Sequence, residues 1–412
     1  MTLSWIYFSL SIVGLLLTIN ALKPLGLGPF AVLSFFPGWL TSELPIVHLI
    51  GQAVVSAIFI DFGSDKHWPG QVGLAITLVS WIGLIALEVS SHRAWKYISA
   101  GLESLASNKT KPQLRFTHTR LPVPAKGKSI EKLPNIDYWG DSIKPHMLDI
   151  YRSNNHTNSA ATVESSLKPV LFYIHGGAWI LGDKREQGLP MIYHMAAQGW
   201  VCVTINYRLS PRSAWPDHIV DCKRALVWVK ENISAYGGDP DKIVVSGGSA
   251  GGHLAALVGL SPNDPDFQPG FEDKDTSVMG CVPIYGVYDF TNQAKSFAPG
   301  FVKFVEKKVF KKKLIENLED FQAASPYYRI HPQAPPFLML AGRNDTLVPV
   351  REARRFYYRL KEVSTSDVFY IELPFAQHAF EIFPSVRSAQ AVRAVELFLE
   401  YLASNQPKVG SQ

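Results

Sequence analysis

Hydrophobic and polar positions divide the chain into two regions with different periods. From Met1 to Leu22 there is no charged side chain, and Trp5 to Leu22 is a run nearly long enough to cross a bilayer as a helix. Gln71 to Leu87 is a second uncharged apolar run, closed by Glu88. Between them, Phe30 to Ile60 is apolar but broken by Pro37, Gly38, Glu43 and Pro45. Its part from Ile46 to Ile60 is short for a span, so it either crosses with its flanks or lies as a re-entrant piece. Farther on, the pattern shortens. Val170–Ile174, Ile243–Val245, Phe337–Ala341 and Val368–Ile371 read as buried strands, and the segments starting at Ala250, Arg351 and Val386 read as helices. Strands alternating with helices predict a mostly parallel α/β sheet covered on both faces. Asn135–Trp139 and Met147–Tyr151 alternate as a hairpin that opens this domain.

These patterns predict a membrane-anchoring region over residues 1–95 with two to three apolar helices, a linker over 96–132 and a globular domain over 133–406. The first segment has no lysine or arginine ahead of its apolar run and no small-x-small cleavage site, which argues for a retained anchor over a signal peptide. A helix apolar all round needs burial on every side, and lipid supplies it. Lys23 follows the first run, and His92, Arg93 and Lys96 follow the last. With three crossings these clusters place the amino terminus outside and the globular domain on the cytoplasmic side of a multi-pass protein. Asn154 to Ser166 is polar and reads as a loop.

Gly247-Gly248-Ser249-Ala250-Gly251 lies where the strand Ile243–Val245 gives way to a helix. This is the pattern of a strand–turn–helix elbow that presents a serine nucleophile, with small neighbours allowing the tight turn. A serine hydroxyl needs a base, an acid to orient the base, and donors for the oxyanion. Asp345 follows the strand Phe337–Ala341, and His378 lies between the last strand and the last helix, giving the order Ser, Asp, His. His175-Gly176-Gly177-Ala178-Trp179 follows the strand Val170–Ile174. Its backbone supplies the early loop for an oxyanion hole: Gly176, Gly177 and Ala178, with Ala250, where Gly177, Ala178 and Ala250 are the expected donors. Asp289 also follows a strand and stays open as an alternative acid, and His253 reads as a packed histidine one turn into the helix after Ser249. Asp217 and Asp221 read as helix-start residues.

In combination, His175–Trp179, Asn206–Pro211, Gly238–Pro240, Gly247–Gly252, Asp345 and Gln377–Phe380 resemble the hormone-sensitive-lipase-like carboxylesterases over roughly residues 135–402. The resemblance implies an α/β-hydrolase fold with a cap insertion at about 290–328. It also implies ester hydrolysis through an acyl-serine, with Ser249, Asp345 and His378 as the triad. The chain departs from the family where Ala178 replaces a third glycine, Gly248 an aspartate and Ala379 a glycine. The His-Gly-Gly-Ala-Trp loop is also similar to aryl-formamidase-like members of the fold, so an amidase on the same triad, or a non-catalytic membrane-tethered binding protein, remains an alternative.

Composition adds a few bounds. The 412 residues suffice for one α/β domain plus a membrane region, and the net charge of +5 is concentrated locally, so no nucleic-acid partner is suggested. The expected partners are a small-molecule or lipid ester and membrane lipids. Cys202, Cys222 and Cys281 are unpatterned and suggest neither a disulfide framework nor a metal site. No cofactor is called for. Lys303, Lys307, Lys308, Lys311, Lys312 and Lys313 alternate with Phe304, Val305, Val309 and Phe310, which predicts a cap helix with a solvated face or one touching anionic lipid head groups.

Overall fold

The structure, a computed structural model, describes residues 1–26, 30–106, 124–154 and 167–404. It opens with α1 (Thr2–Leu22), α2 (Phe30–Glu43), α3 (Pro45–Asp61) and α4 (Trp68–Gly101), followed by the single turn α5 (Glu103–Ala106). Two of these, α1 and α4, are long and apolar enough to cross a membrane; α2 and α3 form a pair bent by 89°. Pro45 at the start of α3 sets the bend, since it cannot continue the helix before it.

The packing of these helices inverts that of a soluble bundle. On α1 the buried residues are Ser4, Tyr7, Ser11, Thr18 and Ala21, whereas Trp5, Ile6, Leu10, Val13 and Leu16 face outward. On α4 the buried set includes Gly73, Thr77, Ser80, Leu84, Leu87 and Ser91. Tyr7 Oη donates to Ser56 Oγ at 2.9 Å, Thr77 Oγ1 donates to Ser11 Oγ at 3.0 Å, and the Thr18 and Ser80 hydroxyls lie 2.8 Å apart. Small and hydroxylated residues inside with Leu, Ile and Val outside is how helices associate in lipid, where apolar surface gains nothing by burial. Ser4 Oγ donates to Ser64 O, so the start of α1 lies beside the α3–α4 connection, while the other ends of α1 and α4 meet the globular domain.

That domain is an eight-stranded sheet in the order β1-β2-β4-β3-β5-β6-β7-β8. Its strands are β1 (Ile130–Asp137), β2 (Met147–Ser153), β3 (Lys168–Ile174), β4 (Val201–Ile205), β5 (Gly238–Gly248), β6 (Gly280–Ile284), β7 (Phe337–Gly342) and β8 (Val368–Leu373). β1 and β2 form the expected antiparallel hairpin, β2 meets β4 antiparallel, and the rest pair in parallel. Successive residues of β3 serve opposite faces. Val170, Phe172 and Ile174 join the core beneath α7 (Asp217–Asn232) and α8 (Ala250–Leu260), whereas Leu171 and Tyr173 join the core beneath α6 (Leu189–Ala197) and α12 (Val386–Ser404). Cys202, Cys222 and Cys281 are free and buried within these cores. Asp221 and Asp217 both pair with Arg208, and the buried Asp221 carboxylate clamps that guanidinium from the start of α7.

The expected linker is shorter than residues 96–132. α4 runs unbroken past residue 95, and its Ala94 and Ile98, with Leu102, are fully buried against the second core; β1 begins at Ile130. Residues 107–123, and most of the polar loop expected over 154–166, lie outside the described residues. The segment where a cap is expected holds α9 (Gly300–Val305), a wider π turn over Glu306–Phe310 and α10 (Leu318–Ala323), with α11 (Val350–Val363) farther on. It is thus not the single amphipathic helix expected: Lys311, at φ +56°, ends the turn. Phe310 stacks on Phe321 at 3.8 Å beneath it, and Lys303, Lys307, Lys311, Lys312 and Lys313 face outward.

Candidate active site

Parallel strands β5, β6, β7 and β8 bring their carboxyl ends to one edge of the sheet, and the expected chemistry collects there. Ser249 follows β5 directly and caps α8 with φ +58° and ψ −119°, a conformation strained for any residue with a Cβ. Its N–H donates to Ile284 O at 3.0 Å, tying the elbow to the end of β6. Ser249 itself is half-buried.

Asp345 lies after β7 and His378 after β8, and the structure brings the two together. His378 Nδ1–H donates to Asp345 Oδ2 at 2.6 Å; the carboxylate can only accept, which assigns the proton to Nδ1 and leaves Nε2 as the basic nitrogen. Asp345 Oδ1 accepts the amides of Leu347 and Val348 at 2.9 and 2.8 Å, so the acid is held on both oxygens. Gln377 staples the two loops: its Oε1 accepts from Thr346 N at 2.8 Å and from His378 N at 2.9 Å. Tyr285, just past β6, packs its ring 4.4 Å from that of His378, and its hydroxyl sits where a side chain on Gly248 would collide, 2.7 Å from an added Cβ. One tyrosine therefore touches both His378 and the residue before Ser249.

The His175–Trp179 loop closes on the serine. A methyl on Gly176 would come 2.5 Å from Gly248 O, 2.8 Å from Gln187 Oε1 and 3.1 Å from Ser249 Cβ, so only glycine permits this approach. The Gly176 amide is spent on Gln187 Oε1 at 2.7 Å; this residue shapes the loop and does not face a ligand with its N–H. Gly177 (φ +120°) and Ala178 (φ +51°) turn the chain outward, and among the described residues no protein group accepts from either amide. Ala250 is the first residue of α8, so its N–H has no partner within the helix. One extra methyl at Ala178 leaves that backbone donor in place.

The competing residues are engaged elsewhere. Asp289 bonds Arg355 and Thr291, away from His378. His253 is buried between Trp179 Nε1–H, which it accepts at 3.2 Å, and Ala324 O, to which it donates at 2.7 Å; burial pushes its imidazole down to about 3. His175 is buried against Tyr207 and is pushed down to about 4. Sequence reasoning missed Gln187 and Tyr285 and treated Gln377 as a motif letter only, because no local pattern tells which distant backbone a side chain meets. It also missed Phe35 and Trp39 of α2, which lie against the His378 loop.

The sheet order, the strained elbow and the Asp–His pair define an α/β-hydrolase. Comparison with known proteins narrows the class. Residues 148–360 match the BD-FAE family model. The chain is 41% identical to the probable carboxylic ester hydrolase LipM of Mycobacterium tuberculosis, over 94% of this chain and 91% of the relative. It is 38% identical to esterase LipQ of the same organism, over 90% and 85%. Among solved structures, a truncated carbohydrate esterase from gut microbiota superposes with a TM-score of 0.59 at 22% identity, covering 69% of this chain and all of that one. The chain belongs to the hormone-sensitive-lipase-like carboxylesterase family. The match to LipM takes in most of the amino-terminal helices as well as the hydrolase domain.

Proposed function

We propose that Ser249, His378 and Asp345 form the catalytic triad of a membrane-anchored carboxylic ester hydrolase. The chain is an esterase by family. The His378–Asp345 hydrogen bond at the sheet edge that carries the Ser249 elbow supports these roles most strongly. Ser249 Oγ attacks the acyl carbonyl while His378 Nε2 takes its proton. The tetrahedral oxyanion is held by the amides of Gly177, Ala178 and Ala250. His378 then protonates the leaving alcohol. Water, deprotonated by the same imidazole, attacks the acyl-serine and releases the acid. Asp345 keeps the proton on Nδ1 and stabilises the imidazolium. Named ester hydrolases among the relatives favour this reading over an amidase or a non-catalytic binding protein. Ser249→Ala is expected to abolish hydrolysis of a p-nitrophenyl ester and labelling by a fluorophosphonate; undiminished turnover would refute the assignment.

The same reading places α1, α3 and α4 across a bilayer, with α2 on the hydrolase side. The inverted packing of α1 and α4 supports insertion, and Lys23, Arg93 and Lys96 at the hydrolase end support a cytoplasmic catalytic domain. The substrate is then an ester that a membrane-facing site can reach, including lipid esters. A carboxyl-terminal tag should be protected from protease in intact cells and cut after permeabilisation; cleavage in intact cells would reverse the sidedness.

A further inference from the structure

The amino-terminal helices do more than tether the hydrolase: they grip both loops that carry the acid and the base. Asn344 and Thr346 flank Asp345. Asn344 Nδ2 donates to Ala21 O and Leu22 O, the last carbonyls of α1, at 3.0 and 3.1 Å, and Thr346 Oγ1 donates to Ala31 O of α2 at 3.1 Å. On the base side, Trp39 Nε1–H donates to Ala379 O at 2.8 Å, and its ring stacks on Phe383 at 4.5 Å. The Phe35 ring stands edge-on to His378 with centroids 6.1 Å apart. One turn farther along α2, the buried Glu43 pairs with Arg387 and accepts from Ser385 Oγ at 2.9 Å.

Ala379 gives these contacts their consequence. It follows the base directly and has φ +62°, in the left-handed region that disfavours any residue with a Cβ. Among the described residues its carbonyl is tied within its own loop by a long 3.3 Å bond from Ile382 N alone, whereas the indole of Trp39 holds it from outside at 2.8 Å. The conformation that aims the His378 ring at Asp345 is therefore maintained by a side chain roughly 340 residues away in sequence.

We propose that Trp39 is a positioning residue for ester hydrolysis: through the Ala379 carbonyl it holds the His378 loop in register, so a helix of the membrane-associated region completes the catalytic centre. This rests on the triad reading given above. Trp39→Phe keeps the stack on Phe383 and deletes the donor. Ala379→Gly removes the Cβ that makes the held conformation costly, so it lessens the need for the hold.

The test uses the full chain in detergent micelles: wild type, Trp39→Phe, Trp39→Phe with Ala379→Gly, Ser249→Ala, and Ile82→Ala on the outward face of α4 as a control. Turnover of p-nitrophenyl butyrate gives kcat and KM; fluorophosphonate labelling gives both the final labelled fraction and the rate constant of the fraction that labels. Trp39→Phe is expected to lower kcat and that rate constant by about tenfold with KM little changed, as loss of one orienting hydrogen bond would. The double variant should recover part of the loss, and Ile82→Ala should match wild type. A wild-type rate constant in Trp39→Phe overturns the proposal, because a purely structural contact changes only the labelled fraction. Should Trp39→Phe not label at all, recovery in the double variant supports the proposal and no recovery overturns it. Full labelling of Ser249→Ala would sink the triad reading itself; an inert Ser249→Ala beside an unaltered Trp39→Phe would sink only the positioning role.

Discussion

Glu381, three residues beyond His378, offers the sharpest quantitative test of the packing below the site. Its carboxyl is buried, and among the described residues neither oxygen has a hydrogen-bond partner; the buried hydroxyls of Tyr285 and Tyr173 have none there either. Burial pushes this carboxyl up from 4.5 to about 7, against the opposing pull of Tyr285 and His378. The sign of the linkage follows. Between these values the folded state holds a proton that the unfolded state has released, so this group's contribution to stability is fully present below about pH 4.5 and is lost as pH rises through about 7. A shift of that size corresponds to roughly 3 kcal/mol at about 1.4 kcal/mol per unit. At about 2.1 cal/mol/K of unfolding entropy per residue, this chain changes its Tm by about 1 °C per kcal/mol, so the expected span is ~3–4 °C. Glu381→Gln keeps the shape and cannot ionise. The assay is the Tm of wild type minus that of Glu381→Gln, followed by tryptophan fluorescence in micelles from about pH 4.5 to about pH 8. The difference should fall by ~3–4 °C across that window. A flat difference curve would refute the claim that burial keeps this carboxyl neutral beneath the ring of Tyr285.

Gly176→Ala should lower kcat/KM by on the order of a hundredfold, because the added methyl collides with Gly248 O and drives the His175–Trp179 loop, the proposed oxyanion hole, away from Ser249; turnover close to wild type would show that this close approach is dispensable. Replacing Lys303, Lys307, Lys308, Lys311 and Lys313 with glutamine should weaken activity on vesicles of anionic lipid by up to about a thousandfold, each of the five at such a surface being worth about 1 kcal/mol, and leave a short soluble ester unaffected. Equal activity of the variant and wild type on both would remove the cap from the membrane surface.

The residues proposed here as the triad could be picked out from sequence because each lies in its own local pattern. A strand running into Gly-x-Ser-x-Gly, a strand running into Asp345 and a loop with His378 each carry their own turn and burial signals, and parallel strands place their carboxyl ends together. The two apolar runs of α1 and α4 were legible for the same reason. What the sequence did not show is what lies between elements. Linear hydropathy marked the amino-terminal region as an anchor joined by a linker, but α4 continues into the hydrolase core and Ile98 is buried there. It could not show that Ser4, Ser11 and Thr18 face inward, since a uniformly apolar helix has no strong periodic face to read. Nor could it show that Gln187 takes the Gly176 amide, that Tyr285 spans from the base to the elbow, or that Trp39 reaches Ala379. Hydrogen bonds and ring contacts between separate loops leave no trace in spacing. They exist only once the sheet and the helices at its edge have fixed where each backbone carbonyl points.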